Sequence, residues 1–302
     1  MHLLAALALS LAIPQTPVPS SRMNMTAIHE AIAAFDGVVG LAVRNLDTGE
    51  EMAVNGDMRF PTASAIKTAV MIEAWHQASE GTLPIDTVLT LRESDKVGGS
   101  GVLNGMSDGL ALKVRDLIHL MIVLSDNTAT NMLVNSLGTR RIDDRLVAYG
   151  LTHTKIFRPT FRDGKADVFP ELEREFGLGM STPREMAKLM ALIAEGGAVD
   201  ARSSAAMLDT LRKQQDRAMI PRLLPGNVQI GNKTGTDAEK RPGDGGRRGG
   251  IRVDAAIVTG KNVRYVIAVF TRRGADGRSG VENAGVLLGA QVSKLVFEGW
   301  NR

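Results

Sequence analysis

The 302-residue chain contains no cysteine, which excludes both a disulfide bond and a lipid-modified N-terminal cysteine. Aromatic residues make up only 4% of the sequence. Histidine is also scarce: the five histidines form neither an H-x-H nor an H-E-x-x-H pattern. A zinc hydrolase is therefore poorly supported, and we expect neither a metal nor another cofactor.

The chain also lacks an excess of charge of one sign. The 36 Lys and Arg against 33 Asp and Glu give a net charge of +3, and the basic residues are scattered, so nothing indicates a nucleic-acid partner. The length suffices for one large domain or two lobes that share a core. We expect a monomer whose partner is a small-molecule substrate.

The N-terminal apolar run is too short to span a membrane. It covers residues 3–13, interrupted only by Ser10, whereas a spanning helix needs about 20 residues. A Pro/Ser-rich stretch follows, from Pro14 to Ser20, and the arrangement predicts a signal peptide over residues 1–20. We therefore expect a periplasmic or secreted protein without a stable membrane anchor. The alternative is a buried first helix.

The predicted elements place strands at the two ends of the chain and helices in the middle. Strands are predicted at residues 38–43, 51–54, 228–232, 253–259 and 263–271, and the first two form a hairpin. Helices are predicted at residues 24–34, 65–79, 114–124, 128–137, 183–194 and 280–300. We therefore predict an α/β (α+β) fold with an antiparallel sheet flanked by the terminal helices.

The predicted sheet lobe comprises about residues 24–58 and 200–302, with an all-helical lobe inserted over about residues 59–199. A cleft between two such lobes is the natural place for a site.

The first motif of the chain is an S-x-x-K sequence formed by Ser64 and Lys67. Pro61 favours a turn just before it, which predicts Ser64 at a helix N-terminus, where free N–H groups stabilise negative charge. Lys67 lies one turn further on the same face, and it can take the serine proton if burial lowers its pKa. The alternative is a capping serine and a surface lysine, which the apolar character of this helix disfavours.

The second motif, Ser125-Asp126-Asn127, lies between two apolar helices. On its own, it is best interpreted as a helix cap provided by Asp126 or Asn127. In company with Ser64, however, Ser125 can relay a proton to a leaving nitrogen and Asn127 can hold a substrate amide.

The third motif, Lys233-Thr234-Gly235-Thr236, follows the segment 228–232 and is predicted at a strand end on the edge of the cleft. Gly235 lets a substrate approach the backbone, and Lys233 and Thr234 can bind a carboxylate. The N–H group of Thr236, with that of the serine nucleophile, can form an oxyanion hole. Arg252 opens the next strand and is a further candidate for binding the carboxylate. The alternative is a polar strand end.

Together the three motifs resemble those of the class A serine β-lactamases and penicillin-binding proteins. The similarity covers nearly all of the chain after residue 22 and includes the helix start at Thr182-Pro183. The resemblance implies a β-lactamase/transpeptidase-like fold and a serine hydrolase that opens the β-lactam ring through an acyl-enzyme. The implied roles are acylation by a β-lactam or a D-peptide at Ser64, proton acceptance by Lys67, proton transfer by Ser125, and carboxylate binding by Lys233 and Thr234.

One departure from the family pattern concerns deacylation. Class A enzymes carry a glutamate, usually within Glu-Pro-Glu-Leu-Asn, that activates the water which clears the acyl-enzyme. Alignment on Arg158 puts Thr160 at that place, and we expect the nearby Glu171, Glu173 and Glu175 to form an exposed helical face rather than a substitute. Without a substitute, acylation survives and deacylation slows. A penicillin-binding D,D-peptidase-like enzyme or slow acyl-binding relative is therefore the alternative function.

Two further segments give weaker indications of function. The G-x-S-x-G sequence at residues 105–109 matches the esterase motif but lacks the hydrophobic strand before it, so we predict a loop. The Gly/Arg-rich stretch 239–252 predicts a solvated hairpin loop, with substrate recognition as the alternative. A non-catalytic binding module remains as another class of function, which reaction with a labelled penicillin would exclude.

Overall fold

The computed structural model describes residues 23–239 and 250–301. The predicted signal peptide and most of the Gly/Arg-rich stretch lie outside these residues. The strands are β1 (Val38–Asn45), β2 (Glu51–Val54), β3 (Phe60–Pro61), β4 (Val88–Thr90), β5 (Ala111–Lys113), β6 (Lys155–Ile156), β7 (Gly179–Ser181), β8 (Gln229–Ala238), β9 (Gly250–Thr259) and β10 (Arg264–Arg272). The helices are α1 (Met25–Ala33), α2 (Lys67–Ser79), α3 (Val114–Val123), α4 (Asn127–Leu137), α5 (Thr139–Ala148), α6 (Pro170–Phe176), α7 (Pro183–Ala194), α8 (Ala201–Arg212) and α9 (Ala284–Trp300).

The main sheet has five strands in the order β2-β1-β10-β9-β8, and every neighbouring pair is antiparallel. Strands from the two ends of the chain meet in it, because β1 pairs with β10 from Val38↔Arg272 to Asn45↔Tyr265. The predicted fold class is therefore confirmed, but the segment 59–199 is not all-helical as predicted, because it also forms the small sheets β3-β7-β6 and β4-β5. β8 lies at the open edge of this sheet, where a substrate can reach its backbone.

Each face of the sheet is covered by apolar helices. Inward-facing residues of β1, β9 and β10 pack against α1 and α9 on one side, in a core that includes Leu41, Val258 and Val292. On the other side Val253, Ala255 and Phe270 join the larger core with α2, α4 and α7. Successive side chains of a strand point to opposite faces of the sheet, so neighbouring residues of these buried strands belong to different cores.

The third motif was predicted at a strand end, but it lies inside a strand. β8 continues to Ala238, and Lys233 to Ala238 pair with β9 through Ala255 to Gly250. Gly235 and Asp237 are residue types that are depleted in strands, so the local pattern is weak and the ladder with β9 decides this boundary. Among the described residues, no helix has both the length and the apolar character needed to cross a membrane.

Candidate functional site

Ser64 lies in a 3₁₀ turn, Ala63–Ile66, that leads directly into α2. Ser64 therefore lies in the turn that precedes α2, and the first residue of the α-helix is Lys67. Ala63 adopts a left-handed backbone with φ of 43°, and the Ser64 side chain stays partly exposed while Ala65 and Ile66 are buried. The geometry therefore directs the hydroxyl-bearing residue toward solvent and anchors the turn in the core.

Lys67 is fully buried at the start of α2. Its Nζ donates hydrogen bonds to the backbone oxygen of Ser125 at 2.7 Å and to Oδ1 of Asn127 at 2.7 Å, and it lies 3.3 Å from Oγ of Ser125. Burial, and after it the charge of Lys233, holds the pKa of Lys67 well below its usual value, while Asp126 opposes the shift. A lysine with a lowered pKa can act as a base.

The second motif forms the break between α3 and α4. Ser125 adopts φ of 56°, a left-handed backbone that non-glycine residues rarely take. Asp126 is the N-cap of α4, accepting from the N–H of Ala129 at 2.9 Å, and it also accepts from the N–H groups of Val102 and Leu103 at 2.7 and 3.0 Å. The capping interpretation of Asp126 is therefore confirmed, and the same carboxylate ties the loop before the motif to the site.

Lys233 also contacts the hydroxyl of Ser125. Its Nζ donates to Oγ of Ser125 at 3.0 Å and to the backbone oxygen of Thr234 at 2.7 Å. Burial lowers the pKa of Lys233 to about 8, although Asp216 and Asp254 act in the other direction. One serine hydroxyl thus contacts two buried amines, an arrangement suited to passing a proton.

Gly235 allows β8 to lie directly against the turn that carries Ser64. A Cβ atom at this position would collide with the backbone oxygen of Thr62 and would lie 2.9 Å from the nitrogen of Ala65 and 3.2 Å from that of Ser64. Any side chain here would push the strand and the turn apart. Thr236, one residue on, lines the same two cavities as Ser64.

Two adjoining cavities open at Ser64. The first, about 360 Å³, is lined by Ser64, Ser100, Val123, Leu124, Ser125, Gln214, Gln215, Asp216, Thr234 and Thr236. The second, about 240 Å³, is called the loop cavity here and is lined by Ala63, Ser64, Gly99, Ser100, Asn127, Arg158, Thr160, Phe161, Asp163, Leu178, Thr236 and Asp237. The three motifs therefore meet in one cleft.

Arg252 is held beside Thr236 in the β8–β9 ladder. Its guanidinium donates to the backbone oxygens of Ile251, Asp237 and Arg278 at 2.9, 3.3 and 2.8 Å, and burial lowers its pKa. Arg252 is not among the described side chains that line either cavity at Ser64. Carboxylate binding by Arg252 stays a prediction.

Thr160, which alignment on Arg158 puts at the place of the glutamate, is buried and hydrogen-bonded to Asn131. Its N–H and its Oγ1 both donate to Oδ1 of Asn131, at 2.7 and 2.8 Å, and the Asn131 amide donates back to the Thr160 oxygen at 3.2 Å. A threonine hydroxyl in this arrangement supplies no base. Asn131 was not among the predicted site residues, although its position one helical turn after Asn127 puts both on the same face of α4.

The nearby glutamates do not all form an exposed face, as predicted. Glu171 and Glu175 are exposed on α6, but Glu173 is buried. Its Oε1 accepts from Nε of Arg158 at 2.8 Å and from the N–H of Gly164 at 3.1 Å, and Arg158 also pairs with Asp163 at 2.5 Å. The expectation for Glu173 is therefore wrong, because a partner fifteen residues earlier in the chain draws it inward.

The segment before the second motif shapes the cleft. The Asn127 N–H donates to the Ser100 oxygen at 3.0 Å, and its side-chain amide donates to the Gly98 oxygen at 3.1 Å. The G-x-S-x-G sequence at residues 105–109 is a 3₁₀ turn end and an exposed loop, as predicted. Within the two described ranges, no group of acidic or histidine side chains is placed to hold a metal ion.

Residues 24–300 match the model of the beta-lactamase enzyme family. Because this match covers nearly the whole chain, the chain belongs to that family. Solved structures of class A β-lactamases are among those whose fold it shares.

Individual relatives are distant. Beta-lactamase CARB-4 of Pseudomonas aeruginosa is 29% identical over 136 residues, 44% of this chain and 47% of its own length. The chain thus spans about half the length of the first curated relatives it matches. The β-lactamase of Sphaerobacter thermophilus has a TM-score of 0.77 at 29% identity, covering 92% of this chain and 97% of that one. A leucine-to-glutamate mutant of PBP-A, solved as an acyl-enzyme complex with penicillin G, has a TM-score of 0.75 at 27% identity, covering 93% and 98%.

Proposed function

We propose that this protein hydrolyses β-lactams through an acyl-enzyme on Ser64. The observation that carries the proposal is that two buried lysines, Lys67 and Lys233, both lie within hydrogen-bonding distance of the Ser125 hydroxyl in the cleft where Ser64 lies. A serine needs a base to become a nucleophile, and a leaving nitrogen needs a proton donor. The cluster supplies both without histidine.

In the proposed acylation, the neutral amine of Lys67 accepts the hydroxyl proton of Ser64 as Oγ bonds to the lactam carbonyl carbon. The N–H groups of Ser64 and Thr236 stabilise the developing oxyanion, where each such donor is worth roughly 3–4 kcal/mol. The C–N bond of the ring then breaks, and the nitrogen takes a proton from Ser125. The proton held by Lys67 replaces it across the 3.3 Å contact. Lys233 and Thr234 bind the substrate carboxylate.

Water then cleaves the ester, and here the cleft supports a second candidate function. Thr160 offers no base, and the buried Glu173 and the nearby Asp163 both pair with Arg158. Slow deacylation would make the protein a penicillin-binding, D,D-peptidase-like enzyme. The leucine-to-glutamate mutant of PBP-A, which shares this fold, was solved as an acyl-enzyme complex with penicillin G, and this supports the second candidate.

The test is intact-protein mass spectrometry after mixing with penicillin G, sampled over time. We expect an adduct of the penicillin mass that Ser64→Ala abolishes. The matched control is Ser107→Ala, which removes the exposed serine of the G-x-S-x-G sequence and leaves the adduct unchanged. An adduct that decays with continuous loss of the drug supports the hydrolase, and one that persists supports the second candidate. No adduct, or one that survives Ser64→Ala, would overturn the nucleophile assignment.

A further inference from the structure

Phe161 stands out among the large apolar side chains that the structure describes, because it is the most exposed of them at 60%. It lines the loop cavity together with Ser64 and Asn127. Single exposed apolar residues are common on protein surfaces and mean little by themselves. Here, however, the ring borders the cavity in which the proposed nucleophile lies, and a ligand in that cavity would cover it.

The backbone holds Phe161 in this place against its local preference. Its φ is 56°, a left-handed conformation that bulky residues rarely adopt. The preceding residue, Thr160, is fixed by hydrogen bonds in both directions with Asn131, and Asp163 two residues on is paired with Arg158. The flanking contacts therefore determine where the ring lies, and rearrangement of the loop would break them.

The opposite wall leaves room for the ring. Gly99 has φ of 79°, and a Cβ atom at this position would lie 2.8 Å from the Phe161 ring and 2.7 Å from the side-chain nitrogen of Asn127. A side chain at residue 99 would therefore press on both groups. The ring and the amide of Asn127 thus lie against the same glycine, so a substrate amide bound by Asn127 would have its neighbouring substituent next to the ring.

Phe169 provides an internal comparison. It too has a left-handed backbone, with φ of 49°, and it is 38% exposed. Its ring, however, is covered by the ammonium group of Lys155, 4.7 Å from the ring centroid, and it does not line either cavity at Ser64 among the described residues. The two phenylalanines thus share a backbone type and differ in what lies next to the ring.

We propose that Phe161 is a specificity-determining residue, whose ring packs against an aromatic or similarly apolar acyl side chain of the substrate. This inference rests on the proposed function and names the substrate class more narrowly: acyl donors with a flat apolar group next to the amide. Aromatic pairs favour offset or edge-to-face packing, and a contact of this kind is expected to change the acylation rate about three- to tenfold.

The test compares acylation rate constants for benzylpenicillin and 6-acetamidopenicillanic acid, which keeps the bicycle and the amide but lacks the phenyl ring. We expect Phe161→Ala to slow acylation by benzylpenicillin about three- to tenfold and to leave the acetamido compound within about twofold. Phe161→Tyr keeps the ring and is expected to retain the preference for benzylpenicillin. Phe169→Ala is the matched control and is expected to change neither rate.

Equal slowing of both compounds by Phe161→Ala would indicate a structural effect on the loop and would overturn the inference, as would no slowing of either. Loss of the preference in Phe161→Tyr would also contradict it. Failure of the unsubstituted protein to be acylated by either compound is a different result: it would overturn the proposed function, and with it the inference that rests on it.

Discussion

The pH dependence of acylation tests the roles of the two buried lysines separately. Lys67 can accept a proton only when it is neutral, whereas Lys233 can bind a carboxylate only when it is charged. Burial lowers the pKa of both, that of Lys67 well below its usual value and that of Lys233 to about 8. The rate constant for acylation is therefore expected to rise as Lys67 loses its proton and to fall as Lys233 loses its own.

The alkaline side of this profile has a predictable size. Above the pKa of about 8 for Lys233, its charged fraction falls tenfold per pH unit. If acylation requires the charged form, the rate constant at pH 10 is expected to be about 100-fold below its maximum. On the acid side the rate is expected to fall as Lys67 becomes protonated, with a midpoint below the usual lysine value.

The assay is the second-order rate constant for acylation by penicillin G between pH 6 and 10, with circular dichroism at each pH to verify the fold. In Lys233→Arg the guanidinium stays charged throughout this range, so the alkaline fall is expected to disappear even if the maximal rate is lower. A fall near pH 8 that persists in Lys233→Arg would refute the assignment. A rate that stays constant to pH 10 in the unsubstituted protein would refute it as well.

Three further predictions concern the scaffold of the cleft. Gly235→Ala places a methyl group against the backbone of Thr62 and Ala65, so we expect a loss of stability of roughly 1–3 kcal/mol and at least tenfold slower adduct formation, measured by urea unfolding and mass spectrometry. Asp126→Ala leaves three backbone N–H groups without their acceptor, and urea unfolding is expected to show a loss of roughly 2–4 kcal/mol. Burial raises the pKa of Asp254 to about 7, so between pH 4 and 7 the folded protein keeps a proton that the unfolded chain loses. The free energy of unfolding is therefore expected to fall by at most about 4 kcal/mol from pH 4 to 7. In Asp254→Asn this dependence on pH is expected to be flatter.

Local patterns account for most of what could be predicted of the site. Ser64 and Lys67 belong to one turn and the start of one helix, so their spacing alone predicts their proximity. The break at Ser125 follows from two apolar helices separated by an N-capping residue. In the structure, Lys67 and Lys233 both contact Ser125. The resemblance of the three motifs to those of one family predicts that they meet in this way.

The features that could not be predicted depend on contacts between distant residues. The sequence pattern predicts Glu173 on a charged, exposed helical face, whereas its pairing with Arg158 explains why it is buried. The hydrogen bonds between Thr160 and Asn131 join a loop to a helix, and no rule of sequence spacing connects these two residues. Such pairs are fixed by how elements pack, and a sequence pattern of one element does not contain that information.

Acylation and deacylation depend on different parts of this cleft. Of the groups proposed for acylation, Lys67 of α2, Ser125 of the α3–α4 break and Lys233 of β8 are joined by hydrogen bonds in the structure. A base for deacylation would have to come from the loop that carries Thr160, where the hydroxyl is committed to Asn131. The buried Glu173 and the exposed Asp163 are each paired with Arg158. Formation of the acyl-enzyme is therefore expected to be faster than its hydrolysis, so that the Ser64 adduct accumulates while substrate remains.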